Sequence, residues 1–152
     1  MLDLKDFEHL LDALPVAAYV CDADGLITHF NRRAAAIWGR EPKLNHPNDR
    51  FCGAFKLHAP DGSLIVPERC WIALALRKLP YLSNEVTVER PDGSCASVLT
   101  HTSLFTDTQG NITGALAILV DITRRKLVED ALRQSEERLR AMLFSPAMRS
   151  AA

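Results

Sequence analysis

The sequence predicts an α+β fold in which an antiparallel sheet packs against helices. Three observations predict it. Residues 82–90, 94–106 and 112–122 read as three long strands, joined by Asp92-Gly93 and by Gln109-Gly110-Asn111 into an antiparallel meander. Asp24-Gly25 lies between two shorter apolar runs, 17–22 and 26–30, as the tight turn of a hairpin requires. Other apolar residues fall at helical spacings: before the first hairpin, between the two groups of strands, and in a charged segment after the last strand.

Taken in order, Leu4, Phe7, Leu11 and Leu14 recur every three or four residues, with Asp3, Lys5, Asp6 and Glu8 between them. Residues 1–14 therefore form a short amphipathic helix that Pro15 ends. Asn31 is placed to cap a helix over 32–38, and Gly39 to terminate it. Residues 40–49 hold two prolines, two asparagines and no periodicity, so they read as irregular connections with at most one short helix. Residues 55–66, with Asp61-Gly62 at their centre, read as a minor hairpin. Pro67 opens a helix running through Cys70, Trp71, Leu74, Ala75 and Leu76 to Leu79, where Pro80 stops it.

The strand 112–122 is apolar or small almost throughout, with β-branched Ile112, Thr113, Ile118, Val120 and Ile122, as in a strand buried on both faces. Thr123 closes it. Beyond Arg124, Val128, Leu132, Ser135, Leu139 and Met142 recur at spacings of four and three, a heptad seam. A seam of roughly two and a half heptads is marginal alone in water and needs a partner surface. That surface is either its own domain or, as the sharper expectation, a second chain in a parallel coiled coil.

A chain of 152 residues with 47% hydrophobic and 24% charged residues is an ordinary globular composition that buries a core without disulfides. A net charge of −1 sets up no global attraction to nucleic acid or an anionic membrane, and Arg124-Arg125-Lys126 is the only tight basic run. No apolar run approaches the ~20 residues of a membrane span. The N-terminus carries acids where a signal peptide carries bases, so a cytoplasmic location is expected. Cys21, Cys52, Cys70 and Cys95 fit no zinc or thioredoxin spacing and read as free thiols. The sequence has no phosphate loop, nucleophile motif or metal-spaced His/Glu pair, so no enzymatic activity is expected. His9, His29, His46, His58 and His101 are scattered, as surface or structural histidines are.

Three groups of residues carry a resemblance. Asp22-Ala23-Asp24-Gly25 with Asn31 after the second strand is the first, and Glu89-Arg90-Pro91-Asp92-Gly93-Ser94 is the second. The third runs from Gly114 through Asp121-Ile122-Thr123-Arg124-Arg125-Lys126. Together they resemble a PAS domain over residues 14–140. The resemblance implies a five-stranded antiparallel sheet, order 2-1-5-4-3 along the chain numbering, with helices on one face. It divides the chain into an N-terminal helix (1–14), the PAS domain (15–123), a C-terminal signalling helix (124–143) and a disordered tail (144–152). It also turns Ala117 and Leu119 toward the helices and Ile118 and Val120 outward, where the stripe of the first helix covers them on its own sheet or in a dimer. Residues 131–140 look like the linker from such a domain to another PAS domain or a histidine kinase. Only 141–152 follow, so the chain is expected to be a fragment or to act on a separate polypeptide.

The implied interior is outlined by Tyr19, Cys21, Trp38, Cys70, Trp71, Leu74, Val88, Val98 and Leu119. It is mostly apolar, suited to a small apolar or aromatic ligand or to none, with Trp38 and Trp71 as core filling or as pocket walls. Members that form a flavin photoadduct carry an Asn-Cys-Arg-Phe type helix, which Arg50-Phe51-Cys52-Gly53 does not match. Haem-binding members usually use a histidine on the helix before the third strand; 68–79 has none, which leaves Cys70 or His58 as candidate ligands. The signal is expected to leave through Asp121, Ile122 and Thr123, with the Asp121 carboxylate accepting N–H groups at the helix start. Dimer contacts are expected from Leu4, Phe7, Leu11, Leu14, Val128, Leu132 and Leu139. The reading is a cytoplasmic sensory or interaction module that homodimerises and steers a kinase or other effector in cis or in trans. Its rivals are a haem- or flavin-binding redox or gas sensor, and a regulatory piece of an enzyme whose catalytic domain lies elsewhere.

Overall fold

A computed structural model describes residues 4–79 and 85–144, without the side chain of Leu4. Expectations for Pro80, for the strand start at 82–84 and for the tail at 145–152 lie outside the described residues. The chain divides into two compact units between Asp121 and Ile122.

The first unit holds α1 (Leu4–Ala13), β1 (Ala17–Asp22), β2 (Ile27–Phe30), α2 (Arg32–Trp38), β3 (Lys56–His58), β4 (Leu64–Ile65), α3 (Trp71–Leu76), β5 (Glu85–Glu89), β6 (Cys95–Thr106) and β7 (Ile112–Asp121). The second holds α4 (Thr123–Leu143). The strands form one antiparallel sheet in the order β2-β1-β7-β6-β5-β3-β4. The five-stranded sheet of order 2-1-5-4-3 expected from the sequence is therefore corrected to seven strands in this order. The two extra ones come from the minor hairpin, whose Lys56, Leu57 and His58 pair with Glu89, Val88 and Thr87. This pairing covers the edge of β5, which would otherwise present unpaired N–H and C=O groups, and it buries Leu57.

Local chemistry explains most boundaries. In each hairpin an aspartate accepts backbone N–H groups two or four residues on: Asp22 from Asp24 and Leu26, Asp61 from Ser63, Asp92 from Ser94, Asp107 from Gln109 and Asn111. At α2, Asn31 Oδ1 accepts the Ala34 N–H, and Gly39 adopts φ 69°, the left-handed conformation in which a side chain is strained. The helix expected over 67–79 is instead broken. Pro67–Arg69 is a 3-10 turn, Cys70 is extended at ψ 169°, and only then does α3 begin. It stops short of Leu79 because Lys78 turns left-handed at φ 55° while the Leu79 N–H bonds the Leu74 carbonyl and the Lys78 N–H that of Ala75, a Schellman end.

The core lies between the sheet and α2 and α3. Alternation along β7 sends Ala115, Ala117 and Leu119 into it and leaves Leu116, Ile118 and Val120 half-buried on the other face. The strand is thus fully buried on one face only, not on both. α1 lies on that outer side: Phe7 sets its ring edge against His29 of β2 at 5.0 Å, and Leu11 is buried. Asn31 holds the arrangement together, its Nδ2 donating to the carbonyls of Leu11 and Val16 and its Oδ1 accepting from Ala18 and Ala34.

Candidate functional site

Tyr19 stands in the core among side chains that carry a thiol or an indole N–H. β1 points Tyr19 and Cys21 inward, α2 brings Trp38, the turn before α3 brings Cys70 and α3 brings Trp71. The Tyr19 hydroxyl donates to the Phe51 carbonyl at 2.8 Å, and the Cys21 thiol approaches the same oxygen at 4.0 Å. Phe51 has φ 71°, and the Cys52 N–H donates back to the Arg50 carbonyl at 2.8 Å, a tight three-residue turn of the strained, positive-φ kind. Neighbours pin this turn in place. Arg40 donates to the Gly53 carbonyl and to Asp49, Arg50 donates to the Asp24 carbonyl, and the Phe51 N–H donates to Gly25.

Trp38 is packed on all sides. Its ring meets Tyr19 edge-on at 5.0 Å and Phe30 at 6.0 Å, and Gly53 passes so close that a Cβ there would lie 2.6 Å from the indole. Only glycine fits at that position. Burial raises the ionisation of every acid in the cluster. The Cys52 thiol is pushed up to about 11 and Cys70 to about 12, Cys21 is pushed higher, and Tyr19 stands well above the ordinary phenol value. These thiols are thus held protonated, which makes them poor nucleophiles and poor metal ligands.

Of the interior residues expected from the sequence, Tyr19, Cys21, Trp38, Cys70, Trp71, Val88, Val98 and Leu119 come together in the core. Leu74 does not; it is only half-buried. At 100° per residue it lies opposite Ile72 and Leu76, which pack inward from α3. Sequence reasoning missed Phe51, Cys52 and Gly53 as parts of the site, because a segment without periodicity carries no signal of the direction its side chains take. His58 Nε2 sits 3.1 Å from Glu89 Oε1, joining β3 to β5.

At the strand end, Asp121 is the last residue of β7, opposite Val98. The N-cap position of α4 belongs to Ile122, with no side-chain cap, and the Ile122 carbonyl accepts the Lys126 N–H at 2.9 Å. Thr123 is the first helical residue and does not close the strand. Pro15, Val16, Arg33, Ala36, Ile37 and Asp121 border a shallow groove of about 360 Å³ at this end of the sheet. On α4, Val128, Leu132, Leu139 and Met142 are each more than half exposed. Among the other expected dimer residues, Phe7 and Leu14 are half-buried and Leu11 is buried within its own unit.

Among the described residues no helix is long and apolar enough to cross a membrane. A family profile described as PAS fold matches residues 11–127, and the chain belongs to that family. Several solved structures share the architecture. A sensory box histidine kinase/response regulator from Burkholderia thailandensis E264 is 20% identical over 88% of this chain and 97% of that one, with a TM-score of 0.56. A PAS domain from Colwellia psychrerythraea is 20% identical over 80% and 98%, with a TM-score of 0.55. The PAS domain of the fruit-fly ELK potassium channel is 16% identical over 81% and 99%, with a TM-score of 0.56. Likeness of this degree concerns the fold, which here serves a kinase and a channel alike. No curated protein matches the sequence.

Proposed function

We propose that the chain is a cytoplasmic sensory and interaction module, not itself an enzyme, that homodimerises. It passes a conformational signal through Asp121, Ile122 and Thr123 into α4, and from there to a histidine kinase or other effector in cis or in trans. The observation that carries this reading is the water-facing apolar seam of Val128, Leu132, Leu139 and Met142, on a helix that follows the central strand β7 after one residue. An apolar stripe of this kind gains stability only against a partner. Half-exposed Leu116, Ile118 and Val120 on the outer face of the sheet add a second apolar surface for self-association. Leu11 is buried in its own unit, so its expected contribution is to the fold.

The rival haem sensor finds less support. His58 is already paired with Glu89, and the Cys70 thiol is held protonated by burial. The wild-type chain is expected to sediment as a dimer at high micromolar concentration. Leu132→Glu and Leu139→Glu should shift it to monomer, because each leucine removed from an apolar contact forfeits about 1.5–3 kcal/mol. The melting of the sheet should be unchanged. A wild-type monomer at those concentrations contradicts the dimer.

A further inference from the structure

Leu127 is the most exposed leucine among the described residues, at 66%, and the seam of α4 does not account for it. It lies about 100° round the helix from Val128, off the line of Val128, Leu132, Leu139 and Met142. With Leu132 and Leu139 at a and Val128 and Met142 at d, Leu127 takes the c position, which faces water in a coiled coil and is ordinarily polar. Arg124 stands three residues before it and Asp130 three after, so the leucine is flanked by a cation on one side and an anion on the other. Asp130 reaches Arg133 at 3.8 Å, an exposed ion pair that exchanges partners at little cost.

The groove at the end of the sheet carries the converse pattern. Val16, Ala36, Ile37 and Val120 make it aliphatic, and among the described residues that border it Arg33 is the one cation and Asp121 the one anion. About 360 Å³ has room for a leucine side chain and the ends of its neighbours. We infer that in the homodimer the groove of each copy receives Leu127 from α4 of the other, with Asp130 of that helix beside Arg33 and Arg124 beside Asp121. Each charge then meets its opposite around an aliphatic contact that leaves water. One two-fold axis generates both contacts, as a closed dimer requires. Leu127 and the seam occupy different sides of α4, so the coiled coil stays available. This contact deepens the dimer proposed above and rests on it, and it joins the copies at the strand end through which the signal is proposed to leave.

Sedimentation equilibrium of the full chain at low salt, where surface charges are least screened, reads the affinity of the dimer. Arg33→Glu and Asp130→Lys each set like charges together at both contacts of a homodimer and are expected to weaken it about tenfold. An equal mixture of these two variants is expected to regain the wild-type affinity. In the mixed dimer the new glutamate meets the new lysine at one contact, and the unaltered Arg33 meets the unaltered Asp130 at the other. Leu127→Gln, which leaves the seam intact, is expected to weaken the dimer by about tenfold as well. Thermal melting of the sheet checks that each variant is folded; should Arg33→Glu lower it, Leu127→Gln and Asp130→Lys decide. A mixture that dimerises no better than its components overturns the contact, being the mark of a groove filled within one chain or by a different protein. A wild-type monomer removes the sensory dimer and this contact together, whereas a wild-type dimer indifferent to all three substitutions removes this contact alone.

Discussion

Asn31→Ala is expected to destabilise the fold by about 4 kcal/mol, enough to unfold much of a domain of ordinary stability. Asn31 is 1% exposed and uses both ends of its amide, accepting from the Ala18 and Ala34 N–H groups at 3.0 Å and donating to the Leu11 and Val16 carbonyls at 2.8 and 2.9 Å. One side chain thereby joins α1, β1 and α2. Alanine leaves four backbone groups without partners where water reaches poorly, and it removes the cap of α2 as well. Asn31→Asp keeps an acceptor for the Ala18 and Ala34 N–H groups but turns a buried carboxylate oxygen toward the Leu11 and Val16 carbonyls, so a loss at least as large is expected from it near neutral pH. Urea unfolding of the three proteins reads the difference, and a loss below about 1 kcal/mol for alanine would mean that the network is not what joins these elements.

The fold is also expected to weaken in alkali. Cys52 ionises near its ordinary value of 9.0 once unfolded but only at about 11 when folded, because burial penalises the thiolate. The stability this contributes is complete below pH 9 and is lost as the pH rises through 11. Two units amount to about 3 kcal/mol for this group alone. Cys70, Cys21 and Tyr19 are raised for the same first reason and act in the same direction. The urea midpoint should therefore be level from pH 7 to 9 and fall steeply above, with a shallower fall in Cys52→Ala. A midpoint unchanged up to pH 11 contradicts the buried thiol cluster.

The parts of this fold that were legible in the sequence are those decided within a few residues. Asn31 and Gly39 bracket α2 because a cap needs only a side-chain oxygen and a left-handed residue at the right places. The Asp-Gly turns were visible for the same reason. The edge pairing of the minor hairpin was not, because the match of Leu57 to Val88 joins residues far apart in the chain and leaves no local trace. The inward turn of residues 51–53 depends on contacts with Tyr19 and Trp38, so no periodicity announces it. At the joint, pairing with Val98 extends β7 through Asp121 and Ile122 directly precedes α4, a boundary that no local signal places.

Signal passage from sheet to helix is tested most directly at Ile122, by amide hydrogen exchange on the full chain carrying Ile122→Gly. Ile122 is 5% exposed and its carbonyl takes the Lys126 N–H. Glycine keeps that carbonyl but removes the buried side chain and frees the backbone. The amides of Lys126, Leu127 and Val128 should lose protection while those of Val98 and Ala117 in the sheet keep theirs. Unchanged protection at the three helix amides, or an equal loss in the sheet, would contradict a joint that couples β7 to α4.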